Sequence, residues 1–284
     1  MEQPINPPIN LYPDLDENNT IKPKYSLRRR DVKGSRVYFA DEQKTPIYNY
    51  SVTTIIDKVI SKGVGFDRFM GNSLNYEHAK KFGRERALVG TIVHSLCHYL
   101  AWGEVVDTKE GWYNQETNKT IHITDEMKHR LNAFIDFWHE EEPTLLATEL
   151  PLYDPKLGFA GSLDYVYMVG EKLVIMDVKT GKEHLKEQAL QLTAYKILFD
   201  LIYGDSVGTI DEMYLLFLNI GRQGGEDIGR YKYKKVKFQP DYWFQTLELF
   251  EYLMSDMRGK MPVIKDELEL PTEYKIIKRG KNDG

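Results

Sequence analysis

Asp164, Asp177 and Lys179 are charged residues inside two apolar runs of the segment GFAGSLDYVYMVGEKLVIMDVKTGK (158–182), where a core would be expected. In an extended strand, residues two apart share a face. Across 172–179 this puts Val174, Met176 and Val178 on one side and Leu173, Ile175, Asp177 and Lys179 on the other. Both sides are apolar until the last residues, the pattern of a central strand covered on both faces. A bare carboxylate buried there is costly and needs a cation or a metal as partner. Asp177 and Lys179 could pair with each other, and an isolated Asp-x-Lys reads most simply that way.

The preceding strand changes that balance. Asp164 lies thirteen residues earlier, across a tight turn near Gly170. Counted outward from the turn, Asp164 and Asp177 fall at similar heights on adjacent strands, where side chains converge within about 5–6 Å. Two carboxylates so close repel unless a divalent cation lies between them. Glu149 is a third acid, among Leu145, Leu146, Leu150 and Leu152; it reads equally well as an edge-strand carboxylate in solvent. Such oxygen ligands suit Mg²⁺ or Mn²⁺ rather than zinc. A cation there would polarise a phosphoryl oxygen and lower the pKa of a bound water. Lys179 beside it is placed to orient or deprotonate that water and to offset transition-state charge.

The elements that must position these groups follow from periodicity and punctuation. Strands are expected over 144–154, 160–169 and 172–179, a long helix over 183–204, two more strands over 212–220 and 229–238, and a closing helix over 240–259. The order implies an α/β fold with a mixed sheet flanked by helices. On the 183–204 helix, Gln188, Gln191 and Tyr195 form a stripe that His184 could begin; it faces either the acidic site or water. Upstream, 36–50 reads as two short strands around a polar turn, 51–63 as a helix capped by Ser51, 64–83 as irregular with a short helix near 75–82, and 85–103 as a long helix. Residues 107–123 read as a loop or hairpin, and 124–142 as a helix capped by Thr124. The chain divides into an arm (1–35), flexible or wrapped on the surface, a hairpin and helical region (36–143), a catalytic core (144–260) and a tail (261–284).

The 284 residues, 42% of them hydrophobic, can bury a sizeable core. No apolar run reaches membrane-span length, and the N-terminus lacks the pattern of a signal peptide, so a cytoplasmic protein without a membrane partner is expected. One cysteine, Cys97, rules out a disulfide framework or a four-cysteine iron–sulfur site. The net charge of −5 argues against an overall basic nucleic-acid binder. Basic runs nevertheless stand at 26–36, 231–237 and 274–284, each of which reads most simply as solvated surface. Trp102, Trp112 and Tyr113 are candidates for stacking on unpaired bases.

Taken in order, the motifs resemble the PD-(D/E)xK nuclease superfamily in its RecB-like branch. Asp164 matches its first acid, Asp177-Val178-Lys179 its (D/E)-x-K, and Gln191-Leu192-Thr193-Ala194-Tyr195 its Q-x-x-x-Y helix. GTIVHSLCH (90–98) is similar to the branch's G-x-x-x-H segment, and ATELPLY (147–153) to the motif carrying a glutamate before the hairpin. Residues 36–56 are similar to the N-terminal segment of phage and mitochondrial genome-maintenance exonucleases. The resemblance implies a restriction-endonuclease-like core with helical N-terminal additions, and Mg²⁺- or Mn²⁺-dependent hydrolysis of DNA, single-stranded or with free ends. It implies His94, Asp164, Asp177 and the Val178 carbonyl as metal ligands, with Glu149 acting directly or through water. Lys179 would be catalytic, and Gln191 and Tyr195 would support the scissile strand. On its own, His94 in an apolar helix would read as a core residue, and His94 with His98 lacks the Glu of H-E-x-x-H; His98 stays unassigned. Two other readings stay open: a catalytically silent nucleic-acid-binding module on the same fold, and a structural salt-bridge cluster.

Overall fold

The computed structural model describes residues 14–16, 18–32, 35–40, 49–60, 76–114, 118–223 and 226–258. In chain order they form β1 (Leu27–Val32), β2 (Ser35–Ala40), β3 (Asn49–Ser51), α1 (Val52–Val59), α2 (Tyr76–Ala101), β4 (Trp112–Asn114), β5 (Lys119–Ile121), α3 (Asp125–Glu141), β6 (Thr144–Asp154), β7 (Phe159–Val169), β8 (Lys172–Lys179), α4 (Leu185–Tyr203), β9 (Glu212–Gln223), β10 (Glu226–Val236) and α5 (Pro240–Arg258). Eight strands make one mixed sheet, ordered β1-β2-β3-β7-β8-β9-β10, with β6 also paired to β7. β4 and β5 form a separate hairpin.

The alternation read from 172–179 is the one the core uses. Leu173 and Ile175 pack with α1, α4 and α5 through Ile55, Leu198, Phe199 and Trp243. Val174, Met176 and Val178 pack with α2 and α3 through Ile92, Val93, Phe134 and Phe137. β8 is therefore covered on both sides, as a near-continuous apolar strand requires. The architecture is an α/β, restriction-endonuclease-like core: a mixed sheet with helices on each face. No described helix is long and apolar enough to cross a membrane.

Local signals explain most boundaries. The Ser51 hydroxyl accepts the Thr54 amide at 3.0 Å and starts α1. Thr124 does the same for Met127 at 3.3 Å and starts α3. β7 and β8 are joined by a two-residue turn in which Gly170 has φ 59°, a conformation that favours glycine.

Two expectations change. The basic run 26–36 is not only solvated surface: Leu27–Val32 is a strand paired antiparallel to β2. Its arginines point to solvent, which is how an edge strand tolerates a charge run that looked like a loop. The long helix starts at Tyr76 rather than 85 and runs through Gly83, replacing the short helix expected near 75–82. Of the two alternatives for the arm, its described residues follow the wrapped one: Leu15 and Ile21 are buried, and the Ile21 amide donates to the Leu146 carbonyl at 2.8 Å. The helix expected over 51–63 ends at Val59, and the expected polar turn at 41–48, residues 64–75 of the stretch expected to be irregular and the tail from 259 onward lie outside the described residues.

Candidate active site

The sheet opens at one point along β7. One edge of β7 pairs with β3 at Phe159 and Ala160, then with β8 from Tyr165 to Val169. β8 meanwhile continues past the opening, pairing in parallel with β9 as far as Lys179. Asp164 stands in the gap. Its Oδ2 accepts the Val178 amide at 2.9 Å, so a side chain replaces the missing ladder bond.

Register brings three acids to one level. Tyr165 pairs with Met176, and one step further sets Asp164 opposite Asp177. On the other edge, Thr148 pairs with Tyr165 and Leu150 with Leu163, which sets Glu149 opposite Asp164. Glu149 has φ 48°, left-handed backbone that a glutamate seldom adopts and that marks stored local strain. Beside it the alternation of β7 slips: Leu163 packs into one core cluster and Tyr165, two residues on, into the other.

Helix α4 supplies the next layer. The Lys179 ammonium pairs with Asp177 Oδ2 and donates to Gln191 Oε1 at 2.9 Å. Gln191 Nε2 is 3.1 Å from Asp177 Oδ1 and 3.2 Å from the Tyr195 hydroxyl. One amide thus holds the lysine with its oxygen and the aspartate with its nitrogen. Tyr195 fits beneath β7 because residue 161 is glycine; a Cβ there would collide with the ring. Gln188 and His184 do not share this role. The Gln188 side chain accepts the His184 amide at 3.0 Å and donates to the Lys182 carbonyl, closing the start of α4.

Helix α2 covers the gap from the other face. Gly90 packs so closely that a Cβ would lie 3.0 Å from Thr180 Oγ1. One turn later, His94 Nδ1 is 3.4 Å from Asp164 Oδ2. One further turn on, His98 Nε2 is buried without a hydrogen bond, 3.7 Å from Glu149 Oε1. Glu149 Oε2 accepts the Ser162 hydroxyl at 2.6 Å. Of the aromatic candidates, Trp102 is close: its indole donates to Thr148 Oγ1 at 2.9 Å, one residue from Glu149. Trp112 packs against the α2–α3 cluster, and the Tyr113 hydroxyl bonds Asn118.

Burial dominates the electrostatics. Asp164 is 9% exposed and Asp177 2% exposed. Desolvation, reinforced by Asp177 and Glu149, pushes the Asp164 carboxyl well above the carboxylate range. Burial pulls His94 down to about 4, so its ring is neutral near pH 7 and offers a lone pair. His98 is lowered by burial as well.

Two buried carboxylates, one neutral imidazole and a strand carbonyl are the donor types a hard dication takes. Asp177 Oδ2 supports the fit: it is buried and touches the Lys179 ammonium, yet accepts no well-formed hydrogen bond. Among the described residues, however, no three His, Cys, Asp or Glu side chains close on a single point. Asp177 is held by Lys179 and Gln191, and Asp164 by Val178 and His94, so the donors assemble in pairs.

Sequence reading missed Arg130. It is 7% exposed, and its guanidinium donates to the Thr180 carbonyl at 2.7 Å, to the Leu218 carbonyl and to Glu126 at 3.0 Å. Glu126 also takes Arg86 of α2 at 3.0 Å. This network ties α2, α3 and the ends of β8 and β9 together immediately beyond Lys179. The signal was present: Arg130 falls on the stripe of α3 that carries Met127, Phe134 and Phe137, a charge on an apolar face just like Asp177.

The mixed sheet thus splits where two carboxylates and a lysine stand, backed by the glutamine and tyrosine of α4. A family model of the PD-(D/E)XK nuclease superfamily matches residues 69–268, and the chain belongs to that superfamily. Its members are nucleases that typically use divalent metal ions. No curated protein is similar enough in sequence to add a relative to that assignment.

Proposed function

We propose that the protein is a Mg²⁺- or Mn²⁺-dependent deoxyribonuclease, acting as an exonuclease on single-stranded DNA or on DNA ends. The observation that carries this reading is the Lys179 ammonium, fixed between Asp177 and Gln191 at the sheet opening beside buried Asp164.

Asp164, Asp177, His94 and the Val178 carbonyl would hold the metal, with Glu149 contributing directly or through water. Bound there, the ion supplies Lewis-acid polarisation of a phosphoryl oxygen and an acidified water. The other steps belong to the chain. Lys179 presents its Nζ protons to the attacking water or a non-bridging oxygen and offsets charge as the new P–O bond forms and the ester P–O bond breaks, the water giving up a proton to solvent and the leaving ester oxygen taking one from it. Gln191 keeps that ammonium aimed, and Tyr195 holds Gln191. His94, uncharged, contributes a ring nitrogen rather than a proton. Preference for a single strand or an end is supported by the net charge of −5, which suits a narrow channel better than a broad duplex-binding face. Helices α2 and α3 lie ahead of the core and flank the opening.

The test is a timed digestion of linear single-stranded, duplex, flap and circular DNA, labelled at each end, with Mg²⁺, Mn²⁺ or EDTA. Metal-dependent loss of linear single strands, with circles surviving, is expected. Lys179→Ala should abolish product in a protein that still melts cooperatively, at a lowered temperature because buried Asp177 loses its cation. Full activity of that variant refutes the role of Lys179; DNA binding without any metal-dependent product identifies a silent binding module instead.

A further inference from the structure

We propose that the cleft between the N-terminal arm and the β6–β7 ribbon binds the base of an unpaired nucleotide of single-stranded DNA, beside the acidic gap. The identity of the ligand rests on the nuclease reading above; the place of the site rests on the cleft itself.

The cleft has a volume of about 660 Å³, and Tyr25, Leu27, Tyr38, Glu149, Pro151 and Ser162 are among the residues lining it. That lies within the range of small-molecule sites, roughly 300–1,000 Å³. Three of its lining residues, Tyr25, Leu27 and Tyr38, pack partly exposed over a small apolar cluster of buried Tyr153 and Ala160, separate from the two main cores. Gly161 and Ser162 of β7 line the cleft one and two residues from Leu163, where the alternation of the strand slips beside Asp164. Glu149 belongs to both: it lines the cleft, bonds Ser162 and stands opposite Asp164.

The walls have the chemistry of a nucleotide site. Tyr25 is fixed edge-on against Tyr153 with ring centres 4.7 Å apart. Tyr38 packs over the same buried pair, Tyr153 and Ala160. Half-buried rings locked in this way are stacking platforms for bases of any sequence. Cations follow the same face: Arg29 is the cross-strand partner of Tyr38, and Arg36 is two residues from it. Both guanidiniums act on the Tyr38 phenol, which burial raises and Glu149 raises further. Guanidiniums suit phosphate. The acid nearest Arg29, Asp31, is 3.9 Å away with both side chains in solvent, a weak competitor. Lys24 is different, being committed to Asp14 at 2.7 Å and to the Ile202 carbonyl at 2.8 Å. The wall contributed by the arm is anchored: Lys24 donates its amide to the Tyr203 hydroxyl at 3.0 Å. Bases in a duplex are paired and stacked, so only an unpaired base turns its ring face into such a cleft. The wall residues between 23 and 38 also precede the span that matches the superfamily, 69–268.

The test is photocrosslinking of the full-length protein, in EDTA, to a single-stranded 12-mer carrying 5-iododeoxyuridine, with adducts mapped by mass spectrometry. Adducts on Tyr25 or Tyr38 are expected, competed by unlabelled single strand but not by duplex. In parallel, the Tyr25→Ala/Tyr38→Ala double variant should raise the Kd for the 12-mer at least about fivefold, one lost stacking contact being enough. Adducts confined to other aromatic residues such as Trp102 or Tyr113, or no adducts, overturn the proposal. The crosslink needs no cleavage. Adducts on Tyr25 or Tyr38 from a protein that cuts no DNA sink the nuclease reading and leave the subsite; cleavage with adducts elsewhere does the reverse.

Discussion

At the Lys172 end of β8, Glu212 is surrounded by partners. Lys172 and Lys235 reach its Oε1 at 2.6 and 2.8 Å, and the Tyr214 hydroxyl donates to Oε2 at 2.6 Å. Both ammoniums are more than half exposed, and together they draw the Glu212 carboxyl down to about 2. At the other end of the same strand, among the described residues, Asp164, Asp177 and Glu149 lie together with a neutral His94, and Lys179 pairs with Asp177. There burial outweighs pairing, and the Asp164 carboxyl is driven up rather than down. Two ionic clusters about one strand apart thus do different things. The first is balanced by ammoniums that stand in solvent, and pairs with such exposed partners contribute about 0–1 kcal/mol each. Among its described residues the buried one holds more carboxylates than cations, an arrangement that stability alone would not select.

If the buried end serves chemistry rather than stability, removing a charge there should uncouple the two. Asp177→Asn is expected to lower the cleavage rate by about a thousandfold or more, with a melting temperature equal to or above that of the parent. A large fall in melting temperature would make the cluster structural. Gln191→Leu leaves both charges and removes the amide that aims them. A loss of kcat of about 10–100-fold with KM little changed is expected, read from initial rates on labelled single strands. The smallest effect belongs to the exposed end. Glu212 ionises at about 2 in the fold against 4.5 as a free side chain, so the unfolded chain binds more protons between those values. Its contribution is full above pH 4.5 and lost as pH falls through about 2. Glu212→Gln should flatten the stability curve in that window, barely change cleavage at neutral pH, and matter less in high salt.

The sequence carried more of the core than of the edges, for identifiable reasons. The strands 144–154 and 172–179 agree with the structure residue for residue, because apolar runs bounded by Gly170 and a proline or polar stretch leave little choice. The 124–142 helix was legible from its Thr124 cap. Strand β1 was hidden by three consecutive arginines: an edge strand needs neither buried face nor alternation, so nothing distinguishes it from a loop until β2 pairs with it. The extension of α2 back through Gly83 was hidden because glycine is a local stop signal that neighbouring helix formers can override.

For the candidate site, Lys179, Asp177, Gln191 and Tyr195 were legible as misplaced polar residues at strand and helix spacing, and the structure brings them into one network. What periodicity could not give was the split in the sheet, the left-handed Glu149, and Arg130, which closes the strand ends from a helix fifty residues away. These depend on long-range pairing, and a two-residue period contains no record of it.

The central claim is that Asp164 and Asp177 meet around a hard dication. Anomalous scattering from crystals soaked in Mn²⁺ tests it most directly. A single strong peak between the Asp164 and Asp177 carboxylates, within reach of His94 and the Val178 carbonyl, is the predicted result. No peak at the sheet opening, with Mn²⁺ found only at surface carboxylates such as Glu212, would contradict it.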